Sequence, residues 1–237
     1  MSEEQLPALF DRLMEFAGLQ EKLKGPADHD AAVANAKENR AEFCPQDPPQ
    51  LDKILALSIV LAKSPAAAPM KRILLENKDM AVMLKDRWRP RSVDLDALKS
   101  LPDNSLGYHY AQHLIGNKIP LMRYDDPVIS DADYIVHRLR ETHDILHVLL
   151  GCDTSYCGEL QTQAFAIFNL RSPLNVVLAV VLLFRLFYYE SPLDRAVTAF
   201  SKGAQQGVKA QNLLAFKFED GWDLPIVYWR EQLCIDH

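Results

Sequence analysis

The sequence predicts an all-α protein, and two observations support this fold class. Stretches such as LDKILALSIVLAKS (51–64) and MKRILLENKDMAVMLKDRW (70–88) place apolar residues three and four positions apart, which is the spacing of one helix face. The apolar–polar alternation of strands is scarce. The β-branched run VVLAVV (176–181) lies inside a longer apolar stretch, and because strands seldom exceed about ten residues, a helix is favoured there as well.

Helical patterns also occupy the N-terminal part of the chain. LFDRLMEFAGL (9–19) predicts a helix, and DHDAAVANAKENRAEF (28–43) predicts a weaker one that is rich in alanine and charge. Proline ends helices, so CPQDPPQ (44–50) divides the chain into an N-terminal helical extension, residues 1–49, and a multi-helix single domain, residues 50–237. The proline-containing RPRSVD (89–94) is a second helix boundary.

Length and charge restrict the class of protein. The chain has 237 residues and a formal net charge of −6, which allows a substantial core and argues against a nucleic-acid partner. The start, MSEEQLPALF, lacks the features of a signal or mitochondrial transit peptide, so we expect a cytoplasmic protein of bacterial type. The four cysteines are few and irregularly spaced, which favours free thiols over a disulfide framework.

The stretch RLRETHDILHVLLGCDTSYCGEL (138–160) contains the candidate metal-binding residues. His143 and His147 are four residues apart, so a helix places both imidazoles on one face. Asp144 lies about 100° further around that helix, where it is either a ligand or a partner of a histidine. Gly151 can end the helix. Glu159 follows His147 after eleven residues and begins the next helical stretch, where it can face the two histidines.

Two imidazoles with one or two carboxylates suit one divalent metal ion, with Zn²⁺ favoured and Mg²⁺, Mn²⁺ or Fe²⁺ as alternatives. The site has fewer soft ligands than a structural zinc site, so an open position for water or substrate is expected. The alternative is that the histidines are hydrogen-bonded core residues or are exposed, since unpaired burial of three ionisable groups costs several kcal/mol. The motif has no glutamate after its first histidine, which excludes a zinc metalloprotease of that type.

The most apolar stretch is PLNVVLAVVLLFRLFYY (173–189). It is shorter than the roughly 20 residues of a membrane span, and it contains Asn175 and Arg185. It is either a buried central helix or the wall of an internal hydrophobic cavity or tunnel that holds an apolar chain or touches a bilayer. The side chains that would line such a surface are Phe165, Ile167, Phe168, Phe184, Phe187 and Tyr188.

Three arginines, Arg123, Arg138 and Arg140, lie near the metal segment. One interpretation is a solvated helix face or pairing with Glu141 and Asp133. The other is capture of an anionic head group next to the metal, because guanidinium groups bind carboxylates and phosphates well.

The pattern H-D-x-x-H, eleven residues, then E resembles the signature of the coenzyme Q (ubiquinone) biosynthesis family called coenzyme Q four. Three further segments resemble that family: LKSLPDNSLGYHYAQHL (98–114), MRYDDPVISDADYIVHRLRETHD (122–144) and GVKAQNLLAFKFEDGWDLPIVYWREQLCI (207–235). The resemblance covers about residues 50–237. It departs from the family pattern at Gln163, where lysine is frequent, and at Arg138-Leu139-Arg140, where the family has Arg-Tyr-Arg.

The resemblance implies an all-helical fold, peripheral association with a membrane surface and a role in processing polyprenylated aromatic precursors of ubiquinone. It places the metal ligands on His143, Asp144, His147 and Glu159. The implied chemistry is removal of the ring carboxyl group at the first carbon, coupled to hydroxylation there. An older view of the family is a lipid-binding organiser of a quinone biosynthesis complex.

Two hypotheses follow, an enzyme and a binding module. The first is a metal-dependent decarboxylase/hydroxylase-type lyase in which His143, His147 and Glu159 are catalytic. The residues that would contact its substrate are Arg123, Arg138, Arg140, Gln163, Phe184 and Phe187. The second is a non-catalytic prenyl-lipid binding protein. Both bind an isoprenoid lipid and work with other quinone biosynthesis proteins, and we expect a homodimer. A His-Asp phosphohydrolase is weaker, because no second histidine–aspartate cluster is apparent.

Overall fold

The computed structural model describes residues 51–90, 93–121, 127–188 and 193–235. The predicted extension 1–49 and its two helices lie outside these ranges. Within them, all the regular elements are helices, and the only bridge of β type is the isolated pairing of Ser105 with Pro225. The all-α prediction is confirmed.

The α-helices in chain order are α1 (Leu51–Lys63), α2 (Ala68–Glu76), α3 (Lys78–Asp86), α4 (Leu95–Lys99), α5 (Leu106–Gly116), α6 (Asp131–Glu141), α7 (His143–Leu150), α8 (Tyr156–Leu170), α9 (Pro173–Tyr188), α10 (Leu193–Lys209) and α11 (Ile226–Leu233). Short 3-10 turns occupy Pro65–Ala67, Leu213–Ala215 and Phe218–Gly221.

The periodic stretch 70–88 is divided between two helices at Asn77. The backbone of Asn77 is extended, with φ −83° and ψ 120°, so it cannot continue α2. Its side-chain oxygen accepts a hydrogen bond of 2.9 Å from the Met80 amide and caps α3. Asparagine competes with the helical backbone for hydrogen bonds. The helix therefore breaks at Asn77, even though the apolar spacing continues through it.

The apolar stretch 173–189 forms α9, which begins at Pro173. Proline suits the first turn of a helix because its missing amide proton is not needed there. None of the helices in the described ranges combines the length and the apolar character needed to cross a membrane.

Helix α8 lies between two groups of buried side chains. Phe165 of α8 packs into the main core with Leu74, Leu114 and Ile145. Leu160 of α8 packs into a smaller core with residues of α9 and α10. Because α8 is held on both sides, its first turn is fixed relative to α5 and α7, whose side chains also belong to the main core.

Helices α8 and α10 pack closely, and two glycines of α10 make this approach possible. A Cβ atom added at Gly203 would collide with the carbonyl oxygen of Gln161, and one added at Gly207 would collide with that of Phe165. These obstacles are backbone atoms, which cannot rotate away. Small residues one turn apart therefore allow the two helix backbones to touch.

Gly207→Ala is expected to lower the free energy of unfolding by about 1–3 kcal/mol, the usual cost of overpacking. Gly116→Ala is the matched control, since a Cβ atom there meets nothing within 4 Å. It should leave stability unchanged or slightly raised, because alanine is the better helix former. Thermal unfolding of the two variants measures the difference. Equal melting temperatures would contradict this account of the helix contact.

Candidate metal centre

Helix α7 begins directly after α6, with Thr142 between them. The Thr142 hydroxyl donates a hydrogen bond of 2.8 Å to the Arg138 carbonyl, which fixes the junction. The helix ends at Gly151 in the left-handed conformation, φ 64°, as the sequence predicted. Arg230 of α11 donates a hydrogen bond of 2.8 Å to the Leu149 carbonyl, so a cation stabilises the carboxyl end of this short helix.

Helix α8 begins after a tight turn that positions Glu159. The Ser155 hydroxyl accepts a hydrogen bond of 3.3 Å from the Gly158 amide and caps the helix, while Asp153 accepts one from the Ser155 amide at 3.1 Å. Gly158 is required here because an added Cβ atom would collide with the Asp153 backbone. Glu159 therefore lies in the first turn of α8, as predicted.

The structure brings His143, His147 and Glu159 together. Nε2 of His147 lies 3.2 Å from one carboxylate oxygen of Glu159, and Nε2 of His143 lies 3.6 Å from the other. The two imidazole rings meet edge to face, with centroids 4.8 Å apart. One ligand atom from each residue lies within 4.8 Å of the other two. We call these three residues the triad.

The triad is strongly coupled in its metal-free form. Burial alone lowers the pKa of His143, but the Glu159 carboxylate outweighs burial and raises that pKa to about 9. The pKa of His147 is also about 9, because Cys152 and Glu159 together outweigh the effect of burial. Burial raises the pKa of Glu159, but the two imidazoles hold it far below its usual range. A metal ion therefore competes with protons for this site.

The triad fits a divalent metal ion. Nε2 of His147 is buried, and the Glu159 carboxylate oxygen lies 3.2 Å from it. A ligand that binds this nitrogen offsets the cost of its burial. Two imidazole nitrogens and a carboxylate are a donor set that suits Zn²⁺ and related ions. The identity of the metal ion stays a prediction.

Asp144 lies beside the triad. Its carboxylate faces Nε2 of His113 at 3.6 Å. Burial raises the pKa of Asp144, but His113 and His143 outweigh burial and lower that pKa. The Asp144 side chain is therefore ionised. The role of Asp144 as a metal ligand, which the resemblance implied, stays a prediction.

Two neighbours of His147 were missed by sequence reasoning. His113 of α5 stacks on the His147 ring, with centroids 5.4 Å apart and planes 24° apart, and Cys152 Sγ lies 3.5 Å from His147 Nδ1. The spacing of His113 from Leu106 and Tyr110, seven and three residues, puts this histidine on the apolar face of α5. This spacing could have identified His113 from the sequence. The only indication for Cys152 is its position directly after Gly151, the residue at which α7 ends.

Arg138, predicted to bind an anionic head group, has other partners. Its side chain is fully buried and pairs with Glu141 at 3.0 Å and with Glu219 at 2.7 Å, and it also donates a hydrogen bond of 3.0 Å to the Phe216 carbonyl. Pairing with Glu141 was the alternative that the sequence left open. Arg140 donates a hydrogen bond of 3.4 Å to Ser58. Arg123 lies outside the described residues.

The remaining predicted substrate contacts lie on α8 and α9. Gln163 is buried one turn after Glu159 and accepts a hydrogen bond of 2.6 Å from Asn175 of α9. The side chains of Phe184 and Phe187 are outside the description, although both residues belong to α9. Val176 and Val180 of the same helix are exposed. The tunnel and the Gln163 contact stay predictions. Cys152, Cys157 and Cys234 are free thiols, as expected.

The family model of the coenzyme Q (ubiquinone) biosynthesis protein Coq4 matches residues 40–237. The chain is 32% identical over 158 residues to the mitochondrial ubiquinone biosynthesis protein COQ4 homolog of Rattus norvegicus, which covers 62% of this chain and 58% of the relative. The human homolog is also 32% identical, over 155 residues, with the same coverage. The chain thus matches little more than half the length of these relatives.

A solved structure has the same fold. The crystal structure of a candidate ubiquinone biosynthesis protein from Nostoc punctiforme superimposes with a TM-score of 0.73 and 25% sequence identity. The match covers 89% of this chain and 98% of the other. The helical arrangement described above is therefore shared along almost the whole of that protein.

Proposed function

Because this chain belongs to the coenzyme Q (ubiquinone) biosynthesis family Coq4, we propose that it processes a polyprenylated aromatic precursor of ubiquinone in a metal-dependent reaction. The reaction is oxidative decarboxylation at the first ring carbon, in which a hydroxyl group replaces the carboxyl group. The carboxyl group leaves as CO₂, water or dioxygen supplies the hydroxyl oxygen, and dioxygen or another two-electron oxidant accepts the two electrons that the substrate loses. The enzyme class is a decarboxylase/hydroxylase-type lyase.

The observation that carries the proposal is the triad, in which two imidazole nitrogens converge on one carboxylate. Nε2 of His147 is buried, with a Glu159 carboxylate oxygen 3.2 Å away and the His143 ring next to it. A divalent ion held by these atoms supplies Lewis acidity for a substrate carboxylate or phenolate.

Each residue of the triad has a distinct part in this proposal. His147 is buried, so it holds its position with little side-chain freedom. His143 keeps 38% of its side chain exposed and Glu159 27%, so substrate approaches from their side. The Glu159 carboxylate balances positive charge at the site.

The polyprenyl tail is proposed to follow α9, where Val176 and Val180 are exposed, and Phe184 and Phe187 are proposed to contact it. Gln163 of α8 lies one turn after Glu159 and accepts a hydrogen bond from Asn175 of α9, so Gln163 is proposed to contact the head group. We propose a homodimer in the cytoplasm that is peripherally attached to a membrane surface and works with other quinone biosynthesis proteins. The relatives named above are mitochondrial.

The exposed valines of α9 also favour a second candidate function, that of a non-catalytic protein that binds a prenyl lipid and presents it to partners. In that case the triad is a structural metal site. The two functions differ in what loss of the metal does. A carrier needs its apolar surface, whereas the enzyme needs the ion itself.

Metal analysis tests the proposal. The purified protein is expected to contain about one divalent ion per chain, and the double variant His143→Ala/His147→Ala is expected to lose it, because one carboxylate alone binds such ions weakly. His109→Ala, on α5, is the matched control for loss of an imidazole and should keep the ion. Inductively coupled plasma mass spectrometry of all three proteins measures the content. Equal metal content in wild type and double variant would exclude the site.

A further inference from the structure

Helix α5 contributes a buried histidine that lies against the triad. His113 comes thirty residues before His143 in the chain, and its side chain is only 9% exposed. One face of its ring stacks on the His147 ring, with centroids 5.4 Å apart. Packing therefore sets the position of the His113 ring before any metal ion binds.

The Nε2 atom of His113 faces the Asp144 carboxylate. This nitrogen is buried, and one carboxylate oxygen of Asp144 lies 3.6 Å from it. A shift of about 0.4 Å would bring the two atoms to hydrogen-bond distance, and Asp144 is 21% exposed, so its side chain has room to move. A hydrogen bond here satisfies a buried polar atom that otherwise costs stability.

The Asp144 carboxylate is also close to the imidazoles of the triad. Asp144 follows His143 directly in α7, and both His143 and His147 interact with its charge. An ionised carboxylate has two oxygens that accept, so a hydrogen bond to one oxygen leaves the other available to a cation. Asp144 can therefore contact His113 and a metal ion at the same time.

We propose that His113 is a positioning residue of the metal centre, which holds the Asp144 carboxylate in place as a ligand while the His113 ring supports the ligand His147. This inference rests on the proposed metal function. Carboxylates that bind metals are themselves hydrogen-bonded, and these partners orient them. Without the hydrogen bond, the Asp144 side chain would have to be ordered when the metal binds, and the cost of that ordering would weaken the site.

Co²⁺ affinity in a double-mutant cycle tests the pairing. His113→Phe keeps a flat ring against His147 but removes Nε2, so it should weaken Co²⁺ binding about 10–100-fold. In the Asp144→Ala background the same change should alter the affinity less than about threefold, because the hydrogen bond is already lost. His113→Gln, whose side-chain amide can donate in place of Nε2, should restore most of the affinity. Competition with a chelating dye measures each value.

The visible spectrum of bound Co²⁺ gives a second readout, because it depends on the ligands of the ion. Asp144→Ala should change this spectrum, and His113→Phe should change it in the same direction. His109→Phe, at another histidine of α5, is the matched control and should leave affinity and spectrum unchanged. If His113→Phe does not fold, His113→Leu takes its place in the cycle, because leucine also removes the nitrogen.

Three results would overturn the inference. If His113→Phe has no effect on Co²⁺ affinity, or the same effect with and without the Asp144 carboxylate, then His113 does not act through Asp144. An Asp144→Ala protein with the affinity and spectrum of wild type would show that Asp144 is not a ligand. In both cases the triad itself would stand. Failure of wild type to bind Co²⁺ would overturn the metal centre and this inference together.

Discussion

Glu159→Gln is expected to keep the fold and abolish quinone synthesis when it replaces the family member in a strain that lacks it. Glutamine has the size of glutamate, and the side chain is 27% exposed, so packing changes little. The charge that balances the metal and the two imidazoles is lost. We expect activity to fall by more than the roughly 10–100-fold that follows when a residue that only contacts a metal ligand is changed, because Glu159 is itself a proposed ligand.

Metal content and lipid binding must be measured in the same sample, because the variant binds metal more weakly. Glu231→Gln, an exposed acid of α11, is the matched control and should complement fully. A metal-loaded Glu159→Gln protein that also complements fully would count against catalysis. The prenyl-lipid carrier would then be the better description of this chain.

Arg138→Met is expected to cost about 3–5 kcal/mol of stability, the usual effect of removing one partner from a buried ion pair. Glu219 keeps only 4% of its side chain exposed and would be left as a buried carboxylate without its partner. The Arg138 guanidinium also stacks over the Trp88 ring at 5.1 Å, so packing is lost with the charge. Urea unfolding measures the change.

Asp131→Asn is the control, because Asp131 lies on the same helix as Arg138 but belongs to an exposed pair, with Arg87 at 2.7 Å and 57% of the Asp131 side chain exposed. It should cost less than about 1 kcal/mol. If Arg138→Met does not fold, Arg138→Lys keeps the charge and should still lose stability relative to wild type, since lysine cannot form the forked contact. An Arg138→Met protein as stable as Asp131→Asn would show that the buried pair with Glu219 does not stabilise the fold.

Local sequence was sufficient for most of the fold and for the triad. The apolar spacing of α1, α9 and the metal segment predicts helices, because each helix is made by hydrogen bonds between residues four apart. His143 and His147 share a face for the same reason. Gly151 ends α7 and Glu159 lies in the first turn of α8, since a positive φ and a helix cap are properties of a few consecutive residues.

Local sequence was less reliable where a polar residue competed with the apolar pattern. The spacing in 70–88 continues through Asn77, yet the chain breaks there because the asparagine side chain caps a new helix. Apolar spacing reports which face is buried, and two consecutive helices can bury the same face. The pattern therefore predicted the helical class correctly and left the number of helices open.

Only the tertiary structure decided the surroundings of the triad. His113 reaches His147 from another helix, Arg138 finds Glu219 eighty-one residues away, and Asp144 faces His113 at the edge of the triad. Helical periodicity states on which side of a helix each of these side chains lies, but it does not state which other helix packs there. That choice depends on the whole core, in which glycines 203 and 207 bring α8 and α10 into contact and so fix the turn that carries Glu159.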